Sequence, residues 1–462
     1  MAVAWSCASA CGRTGLGDAL VEGATARGED AAAVATAPDV DATERVAGNS
    51  SDATARPGAD AFTGSSLGWA ARPDPSTASS YLVNSAHTGA IDDATLMRPI
   101  GRAWSRAFDA PTSYPLIAGG LVYVIVNGVW GASSSSLVAL NATTGTNVWG
   151  PVDAGGAFAL ALDGGRLFTL DSDTHLRAFD AATGQSIWTA TLIEPPYGGS
   201  ASAPPTAYRG IVYASVSNTV MAVDERDGSV LWKQTVWGSD ISAPTVSDFA
   251  AFASYFCAQD YAFDRVSGQV LWHHAGSCIA GQGGTPMLVG NTLFTRDDCC
   301  SSSSGITVDA VSGSLVGTFS ATLPPAFHGG RAYFVNTASR VSGVVTGALS
   351  AIDMATGSNL WTFAGDGFIA TSPLVVGGCV YVGSSEGALF GVAETTGAQT
   401  FQDTTGAALE SESVLSIQPT DVALAAGDGV LVVPAGSTLL GYAHVDAGPG
   451  VATIDASPSA SP

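Results

Sequence analysis

Four of the seven cysteines, Cys257, Cys278, Cys299 and Cys300, fall in one central stretch, and they are the side chains best suited to covalent or metal chemistry. His273, His274, Asp297 and Asp298 stand close to them in sequence. Three chemistries are open to this set. A structural disulfide, most simply Cys257–Cys278, would staple the loop after His274, and such staples suit extracytoplasmic proteins. A mixed-ligand metal site would draw on the histidines and aspartates, although no C-x-x-C or H-x-x-x-H pair is present. Reduced, inert thiols would suit a cytosolic protein. The disulfide is the preferred reading, and no metal site is expected.

Other candidates are weaker. Asp171-Ser172-Asp173 has the residue types of a calcium loop, but Asp and Ser also favour tight turns. Asn141-Ala142-Thr143 fits a glycosylation acceptor, but Asn141 occupies a turn position in a repeat. Six scattered histidines offer no Ser-His-Asp grouping. No catalytic residue is assigned.

The elements that must position these side chains are set by that repeat. Its unit is an apolar run, Asp or Asn, two variable residues, Thr, Ser or Asp, then Gly, and usually Trp four residues later. The copies LVALNATTGTNVW, LRAFDAATGQSIW, VMAVDERDGSVLW, YAFDRVSGQVLW and LSAIDMATGSNLW end at Trp149, Trp188, Trp232, Trp272 and Trp361. Two copies are degenerate, with Gly317 and Phe401 in the tryptophan position. The turn glycines are Gly145, Gly184, Gly228, Gly268, Gly313, Gly357 and Gly397. Their spacing stays near roughly forty residues, the period of propeller blades.

Elementary chemistry explains the unit. Asp accepts backbone N–H bonds at the start of a hairpin turn. Gly supplies the positive φ that ends it. The next strand carries Trp, which can wedge between blades with its indole N–H free to find an acceptor. Two more strands precede each hairpin, as in GGLVYVIVN, so one unit is a four-stranded blade.

Seven glycine turns leave a seven-bladed ring as one alternative. The C-terminal stretch GDGVLVVPAGSTLLGYAHV reads as two middle strands without a following hairpin. IGRAWSRAF, far upstream, reads as a lone outer strand with Trp104 in the tryptophan position. Pairing the two closes the ring without exposed edges and predicts an all-β, eight-bladed propeller closed by an N-terminal strand. With strands lettered A to D from the axis outward, Cys257 falls after strand B of the fourth blade. Cys278 falls between the fourth and fifth blades, and Cys299 and Cys300 fall after strand B of the fifth. B-to-C and D-to-A loops share a face, so all four cysteines are expected to cluster there.

These repeats resemble those of the pyrroloquinoline-quinone (PQQ) type propeller superfamily, which holds quinoprotein dehydrogenases and the outer-membrane-barrel assembly lipoprotein. YLVNSAHTG, at Tyr81–Gly89, resembles a lead-in of many bacterial members. The resemblance covers 81–444 and is specific for fold but poor for function, because the superfamily contains enzymes and non-catalytic binders. It raises a PQQ-dependent dehydrogenase with calcium as an alternative. An adjacent-cysteine disulfide occurs in such enzymes, but Cys299-Cys300 comes late in the chain. No C-x-x-C-H haem motif is present, and the calcium-binding carboxylate and catalytic Asp of those enzymes find no counterpart. No cofactor is expected.

Composition bounds the rest. The formal net charge is −23, which repels nucleic acid and anionic membranes. No stretch reaches the eighteen or so apolar residues of a membrane helix. Residues 1–80, rich in Ala, Gly, Asp, Thr and Ser, read as a flexible segment. Ala8-Ser9-Ala10 before Cys11 resembles the end of a lipoprotein signal that a misplaced start has truncated; a disordered terminus is the alternative. Residues 81–98 form the lead-in, 99–444 the propeller and 445–462 a flexible tail. The lead-in has no core of its own, so loss of 1–98 is expected to leave a folded protein. The expected molecule is a monomeric, non-catalytic binding or scaffold propeller, extracytoplasmic and secreted or lipid-anchored. It would meet a protein or envelope partner through the loops of one face. An envelope or outer-membrane protein assembly factor is a further alternative.

Overall fold

Each apolar run of the repeat forms a strand whose neighbours lie next to it in sequence. The computed structural model describes residues 74–129, 131–193, 203–238, 242–255, 259–276, 283–296, 304–341, 344–409 and 423–445, all within the unit Gly68–Pro462. These hold thirty-two strands and no helix, arranged in eight four-stranded antiparallel sheets. Blades one to seven span 116–153, 157–191, 206–235, 245–275, 287–320, 326–363 and 374–404. The eighth joins three C-terminal strands, within 425–444, to Ile100–Ala107 as its outermost strand. That strand runs antiparallel to Thr438–His444, with Ile100 opposite His444 and Ala107 opposite Thr438. The ring therefore has eight blades and closes through the N-terminal strand.

The turn chemistry repeats. Asp180 Oδ1 accepts the Thr183 N–H at 2.9 Å and its hydroxyl at 2.8 Å, and the Gly184 N–H donates to the Asp180 carbonyl. Asp353 does the same with Thr356 and Gly357. These bonds, led by the threonine hydroxyl, hold both carboxyls below the ordinary carboxylate value.

A β-bulge precedes each wedge position. In blade three Ala222 faces Trp232 and Val223 faces Val230, so Leu231 is the extra residue. The same slip falls at Val148, Ile187, Leu271, Val316, Leu360 and Thr400, and at Ala103 beside Trp104. A bulge bends its strand and re-aims the following side chain. Here it turns the indole towards the next blade. Trp104 Nε1 donates to the Ala142 carbonyl at 2.8 Å, Trp232 to Arg265 at 3.1 Å and Trp272 to Ala310 at 2.9 Å. Trp149, Trp188 and Trp361 reach Ala181, Glu225 and Glu394 in the same way. The residue paired with each indole is small: Ala139, Ala178, Ala222, Ala262, Ala351 or Gly441. Buried clusters such as Tyr213, Trp232, Tyr255 and Phe263 span neighbouring blades in consequence.

Candidate functional site

The most unusual backbone in the protein lies on the propeller axis. Tyr81–Gly89 and its flanks run along the inner edges of the innermost strands. Ala78 exchanges two backbone bonds with Ile117 of blade one, and the Leu162 N–H of blade two donates to Ser79. Val246, Leu288, Phe327 and Val375, in blades four to seven, donate to Ser85, Ala86, Thr88 and Gly89. Asp93 Oδ2 accepts the Gly429 N–H of blade eight at 2.8 Å. Blade three is reached through His87, whose Nε2 lies 3.4 Å from Thr206 Oγ1. One segment thus binds all eight blades. Leu82, Val83 and His87 adopt φ of 51°, 75° and 56°, strained for residues other than glycine and most of all for a β-branched one. The bonds on both sides hold that conformation.

The lead-in packs into the core of the propeller itself. Ala78, Tyr81, Leu82, Val83, Ile91 and Leu96 are buried, and four of them share one cluster with Trp104, Ile117, Leu374 and Leu431.

His87 is fully buried. Its Nδ1 lies 2.9 Å from Thr245 Oγ1, and the Thr245 hydroxyl donates to the Pro286 carbonyl. Thr245 Oγ1 therefore accepts from the ring, which places the imidazole proton on Nδ1. Burial pushes the His87 pKa down to about 4 against a partial offset from the Pro286 carbonyl, so the ring is neutral at pH 7. Beside the plug opens a cleft of ≈ 330 Å³, lined by Asp74, Asn84, Asp92, Tyr208 and His328. His328 Nδ1 bonds Glu394 Oε1 at 2.8 Å, and the Tyr208 hydroxyl donates to Asp248 at 2.8 Å.

A buried acid with a displaced pKa lies off the axis. Glu225 follows the turn residue Asp224 and is 1% exposed between blades two and three. Burial, reinforced by the charge of Asp163 and a hydrogen bond to it, pushes the Glu225 carboxyl up to about 9. It is protonated at pH 7 and donates to Asp163, which also accepts the Gly210 N–H.

Cys257, Cys278, Cys299 and Cys300 lie outside the described residues, as do Asp297 and Asp298. The strands around them end at Tyr255, Ala275 and Arg296 and resume at Gln259, Met287 and Ser304. Cys379, which is described, is buried as a free thiol. His273 stacks on Tyr261 with ring centroids 4.1 Å apart, and its Nε2 meets Gln259 Oε1 at 2.8 Å. Asp171 is held by Arg177 at 2.7 Å and by His175 at 3.1 Å. Among the described residues no three His, Cys, Asp or Glu side chains gather to hold a metal ion. Asp171, the calcium-like candidate of the sequence, faces the Arg177 guanidinium instead. Sequence reasoning missed His87, Asp93 and Glu225 as buried polar centres; only the YLVNSAHTG stretch drew attention to the first.

Eight blades, tryptophan wedges and a closing N-terminal strand define a propeller of PQQ type. The chain belongs to the family described as outer membrane protein assembly factor BamB, whose model matches residues 101–215, 172–318 and 261–452. BamB from Moraxella catarrhalis is a similar solved structure, with a TM-score of 0.54 at 17% identity, covering 75% of this chain and 100% of that one. The quinohemoprotein alcohol dehydrogenase from Comamonas testosteroni superposes with a TM-score of 0.62 at 14% identity, over 81% of each chain. At these identities the likeness is one of fold. A tetrathionate hydrolase from Acidithiobacillus ferrooxidans is 26% identical over 281 residues, 55% of this chain and 54% of that protein. The chain thus spans about half the length of that curated relative. No helix among the described residues is long and apolar enough to cross a membrane.

Proposed function

We propose that this protein is a non-catalytic binding or scaffold propeller of the cell envelope. The observation that carries the reading is the lead-in plug, which bonds every blade and commits the axis to main chain. The buried or half-buried titratable groups nearby are engaged in structural pairings: His87 with Thr245, His328 with Glu394, Asp171 with Arg177. What remains for interaction is a rigid ring with loops on its faces. Membership of the BamB family supports a protein partner and an extracytoplasmic setting, and it favours assembly of outer-membrane proteins as the narrower role.

Solubilised membranes from cells making the tagged full chain should yield a defined partner in fixed ratio. Purified protein mixed with pyrroloquinoline quinone and calcium should hold no chromophore and reduce no dye with alcohols or sugars, and added tetrathionate should persist. A saturable quinone spectrum or turnover of either substrate class would replace the binding reading with an enzymatic one.

A further inference from the structure

Six neighbouring blade pairs share one built site. An indole lies flat on the turn glycine of the next blade, and its N–H meets the carbonyl of the residue after the turn aspartate or its counterpart. A Cβ added at Gly145, Gly184, Gly228, Gly268, Gly313 or Gly397 would meet that ring at 2.5–2.7 Å. The carbonyl bonds run from 2.8 to 3.1 Å.

Between blades five and six the receiving half of this site is present and its indole is not. Gly317 stands in the tryptophan position. Gly357 keeps the turn conformation, with φ +70°, yet a Cβ there would meet nothing within 4 Å. Met354 takes the place of Ala142, Ala181, Glu225, Arg265, Ala310 and Glu394; all six are buried, whereas Met354 is 37% exposed. Ile352 loses burial in the same way, although its counterpart Phe263 is buried against Trp232. Phe319, two residues past Gly317, bridges the two blades by stacking on Phe334, 5.8 Å away, and Ile352 packs on the same cluster, but the space over Gly357 stays open.

We infer that the gap between blades five and six is a notch for a tryptophan side chain carried by an extended segment of a partner protein. Along Leu315–Phe319 the strand is the outermost of its sheet and pairs outward with no described strand, so a partner segment can add there while its indole enters beside Gly317. Leu315 and Val316, 57% and 64% exposed, flank the opening and give that segment apolar footing. The carbonyl of Met354 supplies the acceptor that the other six sites use. This inference deepens the binding reading by naming what its partner presents.

The probe is a fluorescently labelled peptide of the protein's own wedge strand, SIWTAT, from Ser186–Thr191, and a second with alanine for tryptophan. Both are titrated against the full chain. The tryptophan peptide should bind saturably and at least about tenfold tighter than the alanine peptide, the scale of a well-buried aromatic anchor. Thr307→Ala with Gly317→Trp rebuilds the pairing of the other blades and should abolish that preference. Gly317→Leu, a smaller filling, should weaken it should the double variant fold poorly. Equal affinity for the two peptides, or undiminished preference in a folded filled variant, overturns the notch. The titration needs no natural partner, so a failed co-purification leaves it standing, and a failed titration leaves the broader binding reading standing.

Discussion

The indole of Trp104 lies on Gly145, across the seam where the last blade meets the first. A Cβ on Gly145 would stand 2.6 Å from the ring, and the indole N–H reaches the Ala142 carbonyl. The ring is thus fastened twice at one place. Ile100–Ala107 closes the last sheet by strand pairing, and its tryptophan locks that sheet to the first blade. Closure leaves no open sheet edge facing a neighbouring blade.

Turn glycines should differ in their tolerance of alanine according to whether an indole covers them. Gly268 and Gly357 have nearly the same φ, +73° and +70°, so both pay the same left-handed strain. Only at Gly268 would the new methyl collide with Trp232, at 2.5 Å. Gly268→Ala should cost roughly 2–4 kcal/mol and Gly357→Ala about 1–2 kcal/mol. Trp232→Ala should cost roughly 3–5 kcal/mol. Denaturant midpoints decide the matter; equal losses for the two glycines would remove the indole from the explanation.

Truncation should separate the segment before residue 74 from the plug. A chain starting at residue 74 keeps Ala78, Tyr81, Leu82 and Val83 buried and should melt like the full protein. A chain starting at residue 99 exposes the inner strand edges and should unfold at clearly lower temperature or aggregate. Coincident melting curves for the two would show that the plug adds nothing to the ring.

Acid should loosen the plug through His87. Its folded pKa, about 4, lies below the ordinary 6.5. The unfolded chain therefore binds the proton first, and stability falls as pH drops from 6.5 towards 4, by roughly 1.4 kcal/mol per pH unit. His87→Asn suits the left-handed backbone and carries no titrating ring. Plotted against pH, the stability difference between wild type and His87→Asn should slope across this window and flatten above it. A level difference would show that His87 titrates alike in the folded and unfolded chain.

Glu225 should act in the opposite direction. Its folded pKa, about 9, lies above the ordinary 4.5, so stability is lost as pH rises between those values. Glu225→Gln keeps a donor for Asp163 and removes the ionisation. The variant should be nearly as stable as wild type at pH 5 and more stable at pH 8, with the gain growing by roughly 1.4 kcal/mol per unit. A constant offset from pH 5 to pH 8 would mean that the carboxyl is already ionised in the fold.

The cysteine proposal has a direct chemical readout. Protein from an oxidising compartment, alkylated and digested without reductant, should release a peptide linking the YFC and SCIA segments, or one linking SCIA to DDCC. Full alkylation of Cys257, Cys278, Cys299 and Cys300 would argue against the staple and against the secretion it supports.

Much of this architecture is written locally. The turn aspartates, the left-handed glycines and the wedge tryptophans of one repeat stand within a dozen residues of one another, and their spacing specifies a blade before any tertiary contact is known. Closure was legible too, because IGRAWSRAF carries a tryptophan in outer-strand context and the last blade lacks a hairpin. The plug was not. Tyr81–Gly89 has no apolar period, and its bonds go to innermost strands far away in sequence, so only the assembled ring supplies its partners. The charge states of His87 and Glu225 escaped for the same reason. Near it in sequence only Tyr81 is seen to pack on the His87 ring; Thr206, Thr245 and Pro286 complete its burial once three blades meet. The empty notch beside Gly357 divides the same way. The sequence shows that a tryptophan is missing at Gly317, whereas packing decides whether neighbours fill the gap, and Phe319 stacks on Phe334 instead. Local hydrogen-bond chemistry repeats and can be read from spacing, while burial is a property of neighbours that only the closed ring brings together.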